Sequence, residues 1–86
     1  MSYKIEIAKK AIKQINSLPY FIIKNVSKRI DKLAENPFPY DSKKLKANEN
    51  AYRIRVGNYR ILYEVFQQNL IIKIVRVAHR KDAYKV

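Results

Sequence analysis

The chain has 86 residues, with 19 Lys+Arg against 7 Asp+Glu, a formal net charge of +12, one histidine and no cysteine. That length makes one domain, residues 1–86, and 48% hydrophobic residues are enough to build a core without disulfides. The composition excludes Cys-ligated zinc and iron–sulfur sites and argues against a His-rich metal site, so no metal or cofactor is expected. No apolar run of about 18 residues and no signal-peptide pattern is present, which predicts a soluble, cytoplasmic protein with no membrane partner. Such a surplus of cations points to a polyanion, usually nucleic acid.

Tyr3-Lys4-Ile5-Glu6-Ile7 alternates apolar and charged residues, as a short strand does. Ala8, Ala11, Ile12, Ile15 and Leu18 then recur at helical spacing, with Lys9, Lys10 and Lys13 on the other side. Ser17-Leu18-Pro19 interrupts the pattern, and Ser17 is placed to cap a second helix whose first turn tolerates Pro19. Ile22, Ile23, Val26, Ile30, Leu33 and Ala34 mark one face of that helix, over roughly 19–35, until Asn36-Pro37 stops it. Residues 36–50 read as a loop. From Ala51 the period becomes two, and Gly57-Asn58 is a two-residue hairpin signal between 51–56 and 59–66. Gln67-Gln68-Asn69 is a further turn, and Leu70 to His79 is a β-branched run. The predicted fold is α+β in two layers, β-α-α-β-β-β, with both helices on one face of an antiparallel sheet.

The charge is unevenly placed. Residues 1–42 carry a net +4 and residues 43–86 a net +8, and of the six arginines only Arg29 lies in the first half. A two-residue turn at Gly57-Asn58 pairs Val56 with Tyr59, Arg55 with Arg60, Ile54 with Ile61 and Arg53 with Leu62. Directly opposed side chains share a face, so Tyr52, Ile54, Val56, Tyr59, Ile61, Tyr63 and Val65 go under the helices, and Arg53, Arg55, Arg60, Leu62 and Glu64 go to the other side. Arg55 opposite Arg60 opposes folding, and such conflicts fall where function is. On the last strand, the parity Ile72, Ile74, Arg76, Ala78, Arg80 is expected to share that face, because the other parity puts Val75 and Val77 with the core. Five arginines would then form a clamp for phosphates.

These residues resemble a known family. Leu45-Lys46, then Tyr52-Arg53-Ile54-Arg55-Val56-Gly57-Asn58-Tyr59-Arg60-Ile61-Leu62-Tyr63, then Val77-Ala78-His79-Arg80-Lys81-Asp82-Ala83-Tyr84 look like the RelE toxins of the RelE/ParE type II toxin–antitoxin superfamily. The resemblance covers nearly the whole chain. It implies a ribosome-dependent endoribonuclease (an mRNA interferase) that cuts mRNA in the ribosomal A site, and a cognate antitoxin that neutralises it. Its catalytic set maps to Arg53, Arg55, Arg60, Arg80 and Tyr84. Well-studied members carry lysines at the positions of Arg53 and Arg55, and the familiar Leu-Lys-Gly is here Leu45-Lys46-Ala47.

The first departure bears on mechanism. RNA cleavage needs a base for the ribose 2′-OH, charge stabilisation at phosphorus and an acid for the leaving 5′-oxygen. A guanidinium, with a pKa above about 12, is a poor base. Arg53, Arg55 and Arg60 are therefore cast as stabilisers of the phosphorane, and Arg80 either orients the leaving group or, as the resemblance implies, acts as the acid, with orientation by the ribosomal RNA as the alternative. Tyr84 becomes the base if nearby arginines lower its pKa. Histidine is the usual general base near neutral pH, but the parity of His79 points away from Arg80, which favours packing or capping. Lys43, Lys44, Lys46, Arg76 and Lys81 are candidate RNA-phosphate contacts, with an ordinary basic loop as the alternative for the three lysines before the hairpin. Two other functions share the fold: a ParE-like toxin that binds DNA gyrase without nuclease activity, and a non-catalytic RNA-binding module.

Overall fold

In the computed structural model, residues 2–81 are described. They form β1 (Lys4–Ile7), α1 (Lys9–Asn16), α2 (Tyr20–Glu35), β2 (Lys43–Lys44), β3 (Ala51–Val56), β4 (Tyr59–Phe66) and β5 (Ile71–His79). The five strands make one sheet in the order β1-β5-β4-β3-β2. Both helices lie on one face of it, and none of the described helices is long and apolar enough to cross a membrane.

The hairpin register is the one the two-residue turn dictates: Val56 with Tyr59, Arg55 with Arg60, Ile54 with Ile61 and Arg53 with Leu62. Gly57 has φ +58° and Asn58 does not have positive φ, which is the type II′ pattern with glycine first. One hydrophobic cluster joins Ala11, Val26, Ile30 and Leu33 of the helices to Ile54, Ile61, Tyr63, Val65, Ile72, Ile74 and Val77 of the sheet. The periodicity places these helical residues correctly, because only one stripe of each helix faces the sheet.

Five expectations are corrected. The sheet is mixed, not antiparallel throughout, since β1 runs parallel to β5. Tight turns fix the directions of β3, β4 and β5, whereas β1 meets its partner only through the long α1–α2 crossover. Residues 36–50 are not all loop: Lys43 and Lys44 pair with Arg53 and Tyr52 as a two-residue edge strand, too short for alternation to register. Ser17 does not cap α2. It closes α1, its Oγ donating to the Gln14 carbonyl at 2.8 Å, and Pro19 takes the N-cap place of α2 in an extended conformation. Leu70 belongs to the turn, with φ +54°, and β5 begins at Ile71.

The fifth correction concerns β5. Leu62 faces Arg76 but Tyr63 faces Ile74, so Val75 has no partner on β4. This is a β-bulge, which inserts one residue and reverses the parity beyond it. Ile72 and Ile74 therefore enter the core, Val77 does too, and only Arg76 and Ala78 of the expected set reach the arginine face. Val75 is 36% exposed rather than buried.

Candidate nucleic-acid interface

The sheet face away from the helices is built in rows across the strands. Next to the hairpin turn stand Arg55, Arg60 and Ala78. The second row is Lys43, Arg53, Leu62 and Arg76. The third is Ala51, Glu64, Lys73 and Glu6. Among the described residues, the first two rows thus carry five cations, and the acids paired into the strands of this face stand in the third, on either side of Lys73.

Spacing decides what those acids can do. A strand rises about 3.4 Å per residue, so Glu64 lies roughly 13 Å along β4 from Arg60. That exceeds the screening length of about 8–10 Å at ordinary salt. Glu64 is also engaged, accepting from Asn48 Nδ2 at 3.0 Å. Arg29, the arginine of the first half, is paired with Asp41 at 2.9 Å, between α2 and the loop after it. Among the described strand residues, the positive charge of the row next to the hairpin is therefore the least offset by acid, while Glu64 stands only about 7 Å from the second row.

The side chains differ in freedom. Arg53 and Arg60 are only 9% and 8% exposed, while Arg55 is exposed. The Nε atoms of Arg60 and Arg76 are shielded from solvent. Two buried, packed guanidinium stems give fixed charge, and Arg55 is free to follow a ligand. Arg80 lies just past β5, and its backbone N–H donates to the Asn58 carbonyl at 2.7 Å. The hairpin turn thereby holds Arg80 beside the first row.

The lysines separate. Lys43 joins Arg53 on the cationic face. Lys44 turns to the other side, with its ammonium 5.2 Å from the Tyr52 ring centre and donating to the carbonyls of Leu45 and Asn48. Lys46 and Lys81 are exposed in segments outside the strands. Tyr84 lies outside the described residues. Lys73 is on the same face and was not singled out by the sequence; the bulge that brings it there leaves no signal in a β-branched run.

Two groups are explained by structure. The Nδ1 of His79 accepts the Lys81 backbone N–H at 3.2 Å, and its ring meets Tyr59 edge-on at 5.3 Å, so this histidine packs and caps the end of β5. Tyr63 is buried under the helices, and its hydroxyl donates to the Pro37 carbonyl at 2.8 Å. Burial pushes its pKa from 10.0 up to about 12, which keeps it neutral and structural.

A family described as the ParE toxin of type II toxin–antitoxin system, parDE, matches residues 5–84. The putative toxin RelE1 of Methanocaldococcus jannaschii is 35% identical over 88 residues, spanning 99% of this chain and 98% of that protein. Toxin RelE3 of the same organism is 39% identical over 85 residues, spanning 94% of each. Among solved structures, the archaeal RelE–RelB complex from Pyrococcus horikoshii superposes with a TM-score of 0.84 at 32% identity, over 96% of this chain and 100% of that one.

Proposed function

Because the chain belongs to the RelE/ParE superfamily of type II toxins, we propose that it is a cytoplasmic endoribonuclease that cuts mRNA in the ribosomal A site. A cognate antitoxin holds it in check. The observation that carries this reading is the pair of cationic rows, Arg55–Arg60 and Lys43–Arg53–Arg76, at the hairpin end of the sheet with the acids held a row away.

In the reaction, the ribose 2′-oxygen attacks the adjacent phosphorus, a dianionic phosphorane forms, and the 5′-oxygen leaves with a proton. Arg60 and Arg53 are the fixed donors for the developing charge, because their burial leaves little reorganisation to make. Arg55 adds a mobile contact. Arg80, held to the hairpin through Asn58, meets the leaving oxygen. Guanidinium groups in place of the family's lysines stabilise charge but do not take a proton, so Tyr84 is assigned as the base. No step needs a metal ion.

The antitoxin reading is supported by the RelE–RelB complexes among the similar structures. Charge adds a requirement: whatever covers the two cationic rows is acidic.

The ParE description of the matching family favours a second reading, a toxin that binds DNA gyrase by protein contact. One experiment separates the two. The protein is added to a translating extract and mRNA ends are mapped. Cuts inside codons that appear only with ribosomes support the nuclease; intact mRNA with inhibited gyrase assigns the chain to the second reading. For Tyr84→Phe, an unaltered pH–rate profile removes Tyr84 as the base.

A further inference from the structure

Among the described residues, no strand flanks the outer edge of β5 past Ile74. β1 ends at Ile7, and the Ala8 amide closes the ladder on the Ile74 carbonyl at 2.9 Å. The last turn of α1 covers part of the edge beyond Ile74, where Gln14 Oε1 accepts the Val77 N–H at 2.8 Å. Between this turn and the strand edge lies a cleft of about 500 Å³, lined by Gln14, Leu18, Tyr59, Arg76, Val77 and His79 with two smaller neighbours. That size falls within the range of about 300–1,000 Å³ that small-molecule sites occupy.

Three chemistries meet in it. Tyr59 and His79 supply aromatic surface from one edge-on pair. Gln14 has its oxygen committed to a donor, so its Nε2 hydrogens are left to donate. Arg76 belongs to the cleft and also to the cationic face, where it stands in one row with Arg53. Aromatic surface, an amide that reads base edges and a cation leading to phosphate are the means by which unstacked bases of single-stranded RNA are held.

We propose that this cleft is a nucleobase subsite, which takes a base of the RNA strand whose phosphates lie on the cationic face. The proposal rests on the RNA-cleavage reading above. An added peptide strand fits the edge less well. The Val77 N–H that such a strand would need is already bonded to Gln14, and the last turn of α1 stands beside it.

The test is a titration of the ¹⁵N-labelled full chain with adenosine 5′-monophosphate, adenosine and inorganic phosphate. The nucleotide and the nucleoside, but not phosphate, should shift the Gln14 side-chain amide and the Val77 and His79 backbone amides. Gln14→Glu keeps an acceptor for Val77 but loses the donor and adds repulsion. It should weaken nucleotide binding at the cleft signals about five- to tenfold. Phosphate-induced shifts at Arg53, Arg55 and Arg60 should stay unchanged. Shifts confined to those arginines with every probe overturn the subsite and leave the RNA reading standing. A cleft response indifferent to Gln14→Glu overturns it too, as does one that only an acidic peptide elicits. Conversely, nucleotide binding in the cleft together with intact ribosome-bound mRNA would keep the subsite and remove the nuclease.

Discussion

Arg55 and Arg60 face each other directly across the β3–β4 ladder, in a row completed by Ala78 among the described residues. A like-charged pair in that position destabilises a sheet, and an opposite-charged pair stabilises it, by about 0.2–1 kcal/mol in each case. Replacing Arg55 by Glu changes one into the other. Arg55 is exposed, so solvent screening holds the sum near the low end, about 0.5–1 kcal/mol. For a domain of this size each kcal/mol moves the midpoint of thermal unfolding by about 4–8 °C, so Arg55→Glu should raise it by about 2–8 °C.

The assay is thermal unfolding followed by circular dichroism at low and at high salt. Screening shortens from about 10 Å at 0.1 M to about 3 Å at 1 M, so the gap between the variant and the parent should narrow as salt rises. Arg55→Thr removes the repulsion without adding attraction, and its gain should be about half. The same Glu variant should lose RNA cleavage. If Arg55→Glu unfolds below the parent at low salt, the pair carries no strain, and the inference that function keeps it there fails.

Arg60→Ala and Arg80→Ala should each lower mRNA cleavage by about 10²-fold or more while leaving the far-ultraviolet spectrum unchanged, as removal of a preorganised charge does; unchanged cleavage in both removes the site assignment. Tyr63 has its folded pKa raised to about 12, so the stability it contributes is complete below pH 10 and is lost as pH climbs through 10 to 12. The loss should reach about 2 kcal/mol in denaturant titrations, and Tyr63→Phe should lack that part of the alkaline slope. Deleting Val75 removes the unpaired residue and joins Ile74 to Arg76 with their partners Tyr63 and Leu62 unchanged, so Ile72, Ile74 and Val77 keep the core face and the chain should stay folded with a midpoint close to the parent's; a loss of several kcal/mol, of the order of two buried isoleucines exposed, would contradict the register.

The hairpin and its consequences were legible because one short signal, Gly57-Asn58, fixes the pairing of every residue back to Arg53. Once the pairing is set, faces follow by arithmetic. The bulge was not legible. Ile71-Ile72-Lys73-Ile74-Val75-Arg76-Val77 has apolar residues in both parities, so alternation cannot show where it reverses. The parallel β1–β5 pairing was hidden for a different reason: its partners lie far apart in the chain, and no turn between them sets a direction. Ser17 shows a third kind of limit. A serine between two helices can close the first or open the second, and Pro19, extended at the N-cap of α2, left it to the first. Of the site residues, Lys44 was singled out only for standing just before the arginine strand, and one residue of register turns it toward Tyr52 instead of Arg53.

The bulge explains how one strand serves both the core and the cationic face. Before Val75, β5 supplies Ile72 and Ile74 to the helices and gives Lys73 to the row that holds Glu64 and Glu6. After it, Val77 still packs inward while Arg76 joins Arg53. If Val75 instead took a regular partner on β4, strict alternation from Ile72 would send Arg76 into the apolar layer, where burying a charge is costly. With the bulge, the row that carries the acids and the cation-rich rows are set apart along the same sheet. Folding can then rely on the first while Arg55 and Arg60 stay opposed in the second. This is the arrangement expected if the repulsion is relieved by an anion that arrives only when the protein acts, or by the acidic partner that silences it.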